Sequence, residues 1–458
     1  MYDLIVIGGG PGGYAAAIRA SQLDAKVALV EADTLGGTCV NRGCIPIKVW
    51  MKAASSLKTI KNAEVFGIKA TVDNIDYKAI KDRIDGVSGD IRMGMGGLLG
   101  NYGVKVIEGK AVIKSPKQVD VAGKSYEGKS IIIATGSRIV TPDIPGLRDA
   151  LMNSEEALRM DSIPESVLVY GAGPMEVEFA TLLSIFGSKV TLLSDNRRIV
   201  PFLDQDSNQR LTQVMRENGI TVIVKQTLAS VKKAAEGFEC KLAGGKVESV
   251  NVKKILCAPR KPMTDGLGLD NIGIKIDDKG AIIVDECLQT SVSGVYAIGD
   301  VVGRTMQSHA ASAMAVCASE NAVGRKRVFP SNTVPVGAWS YTEAASVGIS
   351  EDEADDLDID VVVGEFPYAI NGFSMAINDI KGTVRVVACE KYGKILGVQI
   401  VGPNATELIG EAVTAMQFEY TISELARSIH VHPTLSENVV DAARAAEGWA
   451  LYLPKQKK

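Results

Sequence analysis

Two cysteines with four residues between them, Cys39 and Cys44, lie in the segment Gly36-Gly37-Thr38-Cys39-Val40-Asn41-Arg42-Gly43-Cys44-Ile45-Pro46-Ile47-Lys48. Across a bend containing glycine, such a pair can reach the ~5.5 Å Cα separation that a disulphide requires. In a reducing compartment a pair this close points to redox chemistry rather than to a staple. Three plainer uses stand beside that one. Zinc would need two further ligands, where the chain offers no second close cysteine pair and 3 histidines in all. The thiols could also be unrelated buried groups, or a small structural disulphide. Cys240, Cys257, Cys287, Cys317 and Cys389 each stand alone in apolar or strand contexts and read as packing residues.

A second constellation is His430-Val431-His432-Pro433-Thr434-Leu435-Ser436-Glu437. Thr434 and Glu437 have the spacing of a capping box, and His432 precedes a proline, so one reading is simply a helix start. The other is an imidazole placed for proton transfer, since two of the chain's 3 histidines fall in this one bend.

These groups need a scaffold, and the chain announces one twice. Residues 3–7 lead into Gly8-Gly9-Gly10-Pro11-Gly12-Gly13, then a predicted helix over 14–22 and a strand over 26–30. Residues 166–170 lead into Gly171-Ala172-Gly173-Pro174, then a predicted helix over 175–186 and a strand over 189–193. Each is the strand–turn–helix–strand unit of a dinucleotide-binding domain. In the first, Gly8 makes the tight turn, Gly10 lets backbone approach a pyrophosphate, and Gly13 permits close helix–strand packing. The helix amino terminus attracts the phosphate charge, and Glu31 is placed to accept from ribose hydroxyls.

Amphipathic helices are predicted near 45–62 and 75–100, and apolar strands over 130–134 and 294–300. Beyond about 332 the pattern changes to antiparallel strands (384–388, 395–401) and helices near 404–418, 421–428 and 436–448, a separate α+β domain. Lys455–Lys458 is expected to fray. The 458 residues carry 50 basic and 54 acidic side chains, a net charge of −4, which supplies no basic surface for nucleic acid. No apolar run reaches the ~18 residues of a membrane helix, and no targeting segment precedes the first strand, so a cytoplasmic protein is expected.

The GGTCxNxGCIPxK segment, directly downstream of the first glycine fingerprint, resembles the pyridine nucleotide–disulphide oxidoreductases, and the resemblance runs over the whole chain. Ile132-Ile133-Ala134-Thr135-Gly136 and Tyr296-Ala297-Ile298-Gly299-Asp300 are similar to that family's two further flavin-domain motifs. The resemblance implies two Rossmann-like domains and a C-terminal α+β dimerisation domain. The expected boundaries are 1–145 for FAD (completed by 265–332), 146–264 for the nicotinamide dinucleotide and 333–458 for the interface. It implies a Cys39–Cys44 redox disulphide, with Cys39 exchanging with substrate and Cys44 facing the flavin. Asp300 would contact the flavin ribityl chain, and Lys48, four residues past Cys44, would pair with Glu178. The HxHPTxSE segment resembles the branch acting on dihydrolipoyl groups, in which the histidine before proline is the acid–base and the glutamate orients it; these are His432 and Glu437. Homodimers are implied, with His432 serving the other subunit's cysteine pair. His309 resembles a flavin-edge position and is expected to be structural. The lipoyl group is expected to arrive on another protein, from a 2-oxo-acid dehydrogenase or glycine-cleavage system.

The second nucleotide turn departs from the pattern. Glu176 stands where the third glycine belongs, and its carboxylate could lie toward the phosphates or point outward. Ser194 replaces the usual ribose acid, followed by Asp195-Asn196-Arg197-Arg198. Arg197 and Arg198 would suit a 2′-phosphate, whereas Asp195 could do the acid's work, so NAD and NADP both stand. The family's Gly-Arg-x-Pro element appears as Pro259-Arg260-Lys261-Pro262. Two rivals are weighed: another disulphide reductase of the family, and a flavin-holding binding or assembly subunit with an impaired nicotinamide site.

Overall fold

A computed structural model describes residues 1–454; the expected fraying of Lys455–Lys458 concerns residues outside that range. The chain divides into two compact units, each built from discontinuous segments. The first comprises 1–142, 153–162 and 258–329, and the second comprises 143–152, 163–257 and 330 onward.

In the first unit the run Leu4-Ile5-Val6 is wholly buried, as expected of a central parallel strand with both faces covered. Strand Tyr2–Ile7 pairs in parallel with Val27–Glu31 on one side and Lys124–Ile133 on the other. Lys105–Glu108 extends the sheet beyond Val27–Glu31, and Val295–Ala297 beyond Lys124–Ile133. The first glycine turn thus sits at the carboxyl ends of the strands, where such sheets bind ligands. Helix Pro11–Ser21 packs closely on helix Ser308–Ala322; a Cβ on Gly12 would meet the Ala311 Cβ at 3.4 Å.

The second unit repeats the parallel arrangement in the order Thr221–Ile223, Lys189–Leu193, Ser166–Tyr170, Lys254–Leu256 and Leu151–Met152. It also holds a five-stranded antiparallel sheet ordered Val336–Ala338, Glu343–Gly348, Ile395–Gly402, Thr383–Cys389 and Val361–Pro367. Helix Glu437–Ala446 lies against the last of these strands so tightly that a Cβ on Gly364 would fall 2.0 Å from the Ala442 carbonyl oxygen. The helix that begins at Glu437 is therefore fixed by backbone contact.

Arg385, in the strand Thr383–Cys389, has only 6% of its side chain exposed and faces four carboxylates. Asp204 lies at 3.2 Å, Asp206 at 2.9 Å and Glu365 at 3.1 Å, and Glu351 completes the cluster. Asp204 is the buried carboxylate of the four, and removing one partner of a buried ion pair strands the other. Arg385→Ala should lower the stability of this unit by about 3–5 kcal/mol, read from denaturant unfolding. A loss under ~1 kcal/mol, typical of surface pairs, would refute that.

Candidate active site

The first glycine turn has the geometry of a phosphate cradle. Gly8 has φ +106°, and a Cβ there would lie 2.3 Å from the Ala134 carbonyl oxygen. A Cβ on Gly13 would lie 1.7 Å from the Gly8 oxygen, whereas one on Gly10 would meet nothing nearer than 3.9 Å. Gly8 and Gly13 thus close the turn, and Gly10 keeps its outer face open. Helix Pro11–Ser21 has no side-chain cap and no acid in its first turn, leaving its amino-terminal N–H groups for an anion. Glu31 accepts the Gly9 N–H with one carboxylate oxygen and the Asp33 N–H with the other, at 2.7 Å. Nearby, Gly136 has φ +73° with open space around it, and Thr135 donates to the Met263 carbonyl at 2.7 Å. These residues fit a dinucleotide such as FAD. Gly13→Ala should weaken flavin retention by roughly one to two orders of magnitude, since overpacking costs about 1–3 kcal/mol. Flavin absorbance per chain after dialysis measures this; full retention would refute it.

Asp300, in the helical turn Gly299–Val302, accepts from the Ser137 hydroxyl. Arg260 donates to the Ser137 hydroxyl and carbonyl, both at 2.7 Å, and to the Thr38 hydroxyl at 3.3 Å. Its Nε lies 4.0 Å from Asp300. The proline-flanked arginine of the altered Gly-Arg-x-Pro element therefore ties the cysteine segment to Asp300. Sequence reasoning missed this role. The available signal was a pair of cations, Arg260 and Lys261, between two prolines beside an apolar strand.

Gly36 (φ +91°) and Gly37 (φ +55°) turn the chain into the short helix Gly37–Arg42, which carries Cys39. Gly43 breaks that helix, and Cys44 opens the 19-residue helix Cys44–Asn62. This second helix is anchored by Trp50, wholly buried, whose ring N–H donates to the Leu158 carbonyl at 3.1 Å. The two thiols hydrogen-bond each other. Ser308, also unforeseen as a partner, places its hydroxyl 3.4 Å from the Cys44 sulfur. The hydrogen bond from Cys39 draws the Cys44 thiol down to about 6, with burial opposing and Ser308, Lys48 and its own helix-terminal N–H assisting. Cys39 is pushed far above the ordinary thiol range, chiefly by that same bond to Cys44 and by burial. The pair releases its first proton from Cys44.

His432 holds Glu437 through Nδ1 at 2.9 Å, and 78% of the imidazole is exposed, so Nε2 is the ring nitrogen left for a substrate. The other Glu437 oxygen accepts the Thr434 N–H at 2.8 Å, and Asn371 donates to the Thr434 carbonyl at 3.1 Å. The expected capping box is only half formed. The Thr434 hydroxyl donates to the Val431 carbonyl instead, and the helix starts two residues late, with Ser436 as its cap. Holding the imidazole has taken one arm of Glu437. His430 is accounted for separately, its Nε2 lying 2.9 Å from Glu411. His309, the second residue of helix Ser308–Ala322, is exposed.

At the second glycine turn Gly171 has φ +140°, and helix Pro174–Ile185 starts at Gly173. The Glu176 carboxylate folds inward over the turn. A Cβ on Gly171 would lie 2.8 Å from the Glu176 Cγ, and one on Gly173 would lie 2.8 Å from its Oε2. Glu178 is buried two residues on. Ser194 is wholly buried and accepts the Asn196 N–H at 3.0 Å, closing a local turn instead of facing a ribose. Arg198 is engaged by Asp352 at 2.7 Å and the Leu203 carbonyl at 2.9 Å. Asp195 and Arg197 are exposed. Among the described residues, no group of three or more His, Cys, Asp or Glu side chains could hold a metal ion.

A flavin-type glycine turn, a hydrogen-bonded dithiol at a helix amino terminus and a second dinucleotide domain define a dithiol–disulphide oxidoreductase. Residues 2–315 match the model of the pyridine nucleotide-disulphide oxidoreductases, and 334–443 match that family's dimerisation domain. The chain belongs to this family; its cofactors are FAD and NAD or NADP. It is 38% identical to a dihydrolipoyl dehydrogenase of Thermus scotoductus over 99% of both chains. It is 34% identical to one of Geobacillus stearothermophilus over 98% of this chain and 97% of that one. Among solved structures, LpdA of Mycobacterium tuberculosis superposes with a TM-score of 0.87 at 25% identity, covering 96% of this chain and 99% of that one. The HOCl-induced flavoprotein disulfide reductase RclA of Escherichia coli gives 0.85 at 25% identity, with the same coverage. No helix among the described residues is long and apolar enough to cross a membrane.

Proposed function

We propose that this protein is a dihydrolipoyl dehydrogenase, oxidising dihydrolipoyl groups borne by a separate lipoyl-carrying protein and reducing NAD⁺ or NADP⁺. The observation that carries the reading is the hydrogen-bonded Cys39–Cys44 pair, in which Cys44 gives up its proton first. The His432–Glu437 pair supplies the base, and full-length relatives bear the same activity in their names.

In this reading the resting state holds a Cys39–Cys44 disulphide. His432 Nε2 takes a proton from one substrate thiol, with Glu437 holding the ring and stabilising its charge. The substrate thiolate attacks the Cys39 sulfur, the Cys39–Cys44 bond breaks, and the electron pair leaves on Cys44. The second substrate thiol then attacks the mixed disulphide, releasing lipoyl disulphide and the Cys39 thiol. Cys44 is the better leaving group because its thiolate is stabilised by Cys39, Ser308 and Lys48. Bound FAD supplies the two-electron relay from this dithiol to the nicotinamide. Gly8, Gly10, Gly13, Glu31, Thr135, Gly136 and Asp300 would hold it, and Lys48 and Glu178 would set charge around it. Gly171, Gly173, Arg197 and Arg198 would face the second nucleotide.

The functional parts would be 1–145 with 265–332 for FAD, 146–264 for the nicotinamide dinucleotide, and 333–458 for subunit contact. The dimerisation-domain match supports a homodimer in which His432 of one subunit serves the cysteine pair of the other. A reducing cytoplasm suits a dithiol that must cycle. Steady-state assays with dihydrolipoamide and each nucleotide test the reading. Reduction of one of them is expected, and inertness with both would return the protein to a flavin-holding role.

A further inference from the structure

We propose that Glu176 is a built-in competitor of the dinucleotide phosphates, its carboxylate occupying the cradle of the second nucleotide turn until NAD or NADP displaces it. This inference rests on the nicotinamide-dependent reading above and concerns how that nucleotide is admitted.

The two glycine turns of the chain make the comparison. In the first, the space outside Gly10 is open to 3.9 Å. In the second, the equivalent glycine is Gly173, and Glu176 Oε2 stands 2.8 Å from where its Cβ would be. The carboxylate accepts hydrogen bonds from the backbone N–H of Gly173 and of Glu176 itself. Those are the amino-terminal donors of helix Pro174–Ile185 that a pyrophosphate uses in a fold of this kind. Burial raises this carboxyl above the ordinary carboxylate range, with those two N–H groups opposing, and its Oε2 already stands in the anion site.

Its presence also alters the turn. At Gly13 a Cβ would lie 1.7 Å from the Gly8 oxygen, so that turn admits no side chain. Position 176 carries a Cβ, so the second strand–helix approach is wider and leaves room for the carboxylate to fold back. No cation pairs with Glu176 among the described residues. The other ionisable group whose charge couples to it is the Cys257 thiol, which burial and then Glu176 push up to about 12, leaving it neutral. Glu176 is thus held by backbone donors that the ligand would take over. A pyrophosphate cannot share the space, and its charge repels the carboxylate. The effect falls on the part of the ligand that NAD and NADP have in common, so it lowers affinity for both without choosing between them.

Equilibrium binding of NAD⁺, NADP⁺ and ADP-ribose to the flavin-loaded protein, followed by calorimetry, tests this. Glu176→Ala should tighten all three by roughly 10- to 100-fold, the scale of losing a hydrogen-bonded charge that must be displaced. Glu176→Gln keeps the shape and removes the charge, so it should also tighten all three, by less; it serves as the test if the alanine variant does not fold. Unchanged or weaker binding in the variant that folds would overturn the proposal. Anaerobic flavin reduction of the wild-type protein by dihydrolipoamide needs no nucleotide. Its failure would sink the dihydrolipoyl reading and leave the competitor judged by its own binding constants.

Discussion

Cys44→Ser is expected to lower dihydrolipoamide-dependent turnover by roughly 10⁴-fold or more, as loss of a reacting nucleophile does in enzymes working through one. The same variant separates the two thiols by pH. An ordinary cysteine titrates near about 8.5, but Cys44 is drawn down to about 6 by the bond from Cys39. The reduced protein should therefore keep one thiolate above that value and lose it as pH falls through it. Ultraviolet thiolate absorbance of the reduced protein should titrate near pH 6, and Cys44→Ser should lack that phase. Cys39→Ala removes the donor, so its remaining thiol should titrate at higher pH. A wild-type midpoint above about 8, or a low-pH phase surviving in Cys44→Ser, would overturn the assignment of the thiolate to Cys44.

His432→Gln carries the second large effect. The imidazole is exposed and held through Nδ1 by Glu437 at 2.9 Å, which leaves Nε2 to receive a substrate proton. Loss of such a base typically costs about 10²–10⁴ in rate. The loss should appear in the dihydrolipoamide-dependent half of the cycle, where the substrate thiol must give up its proton. Glu437→Gln should cost less, since the amide can still hold the ring. Rapid flavin reduction by dihydrolipoamide, within a few-fold of wild type in His432→Gln, would remove the histidine from the mechanism.

Local pattern made much of this site readable. The glycines at 8, 10 and 13 follow a buried strand and open a helix, and each spacing has a steric reason that one stretch of chain contains. The same holds for Cys39 and Cys44, separated by one helix break. What escaped was contributed from far along the chain. Ser308 reaches Cys44 across 264 positions, and Arg260 reaches Thr38 across 222. Arg385 collects four acids from three separate stretches of chain. No periodicity encodes such meetings. Glu176 was visible as an irregularity, but its direction depends on whether backbone donors or solvent hold the carboxylate, and only coordinates decide that. The capping motif at Thr434 formed only on its glutamate side: the spacing was right, but the Thr434 hydroxyl turned to the Val431 carbonyl.

The interrupted first sheet has a consequence for how the polypeptide is born. Strand Lys124–Ile133 needs Val295–Ala297 on its open side, and that strand emerges from the ribosome about 160 residues later. At about 5–20 residues per second of synthesis, the nascent sheet waits on the order of ten to thirty seconds with an apolar edge unpaired. Asp300 is made only after this delay, so the flavin pocket cannot be complete before then. An unpaired apolar edge invites association, so slowing synthesis between these strands should increase aggregation of the newborn protein, read as its insoluble fraction.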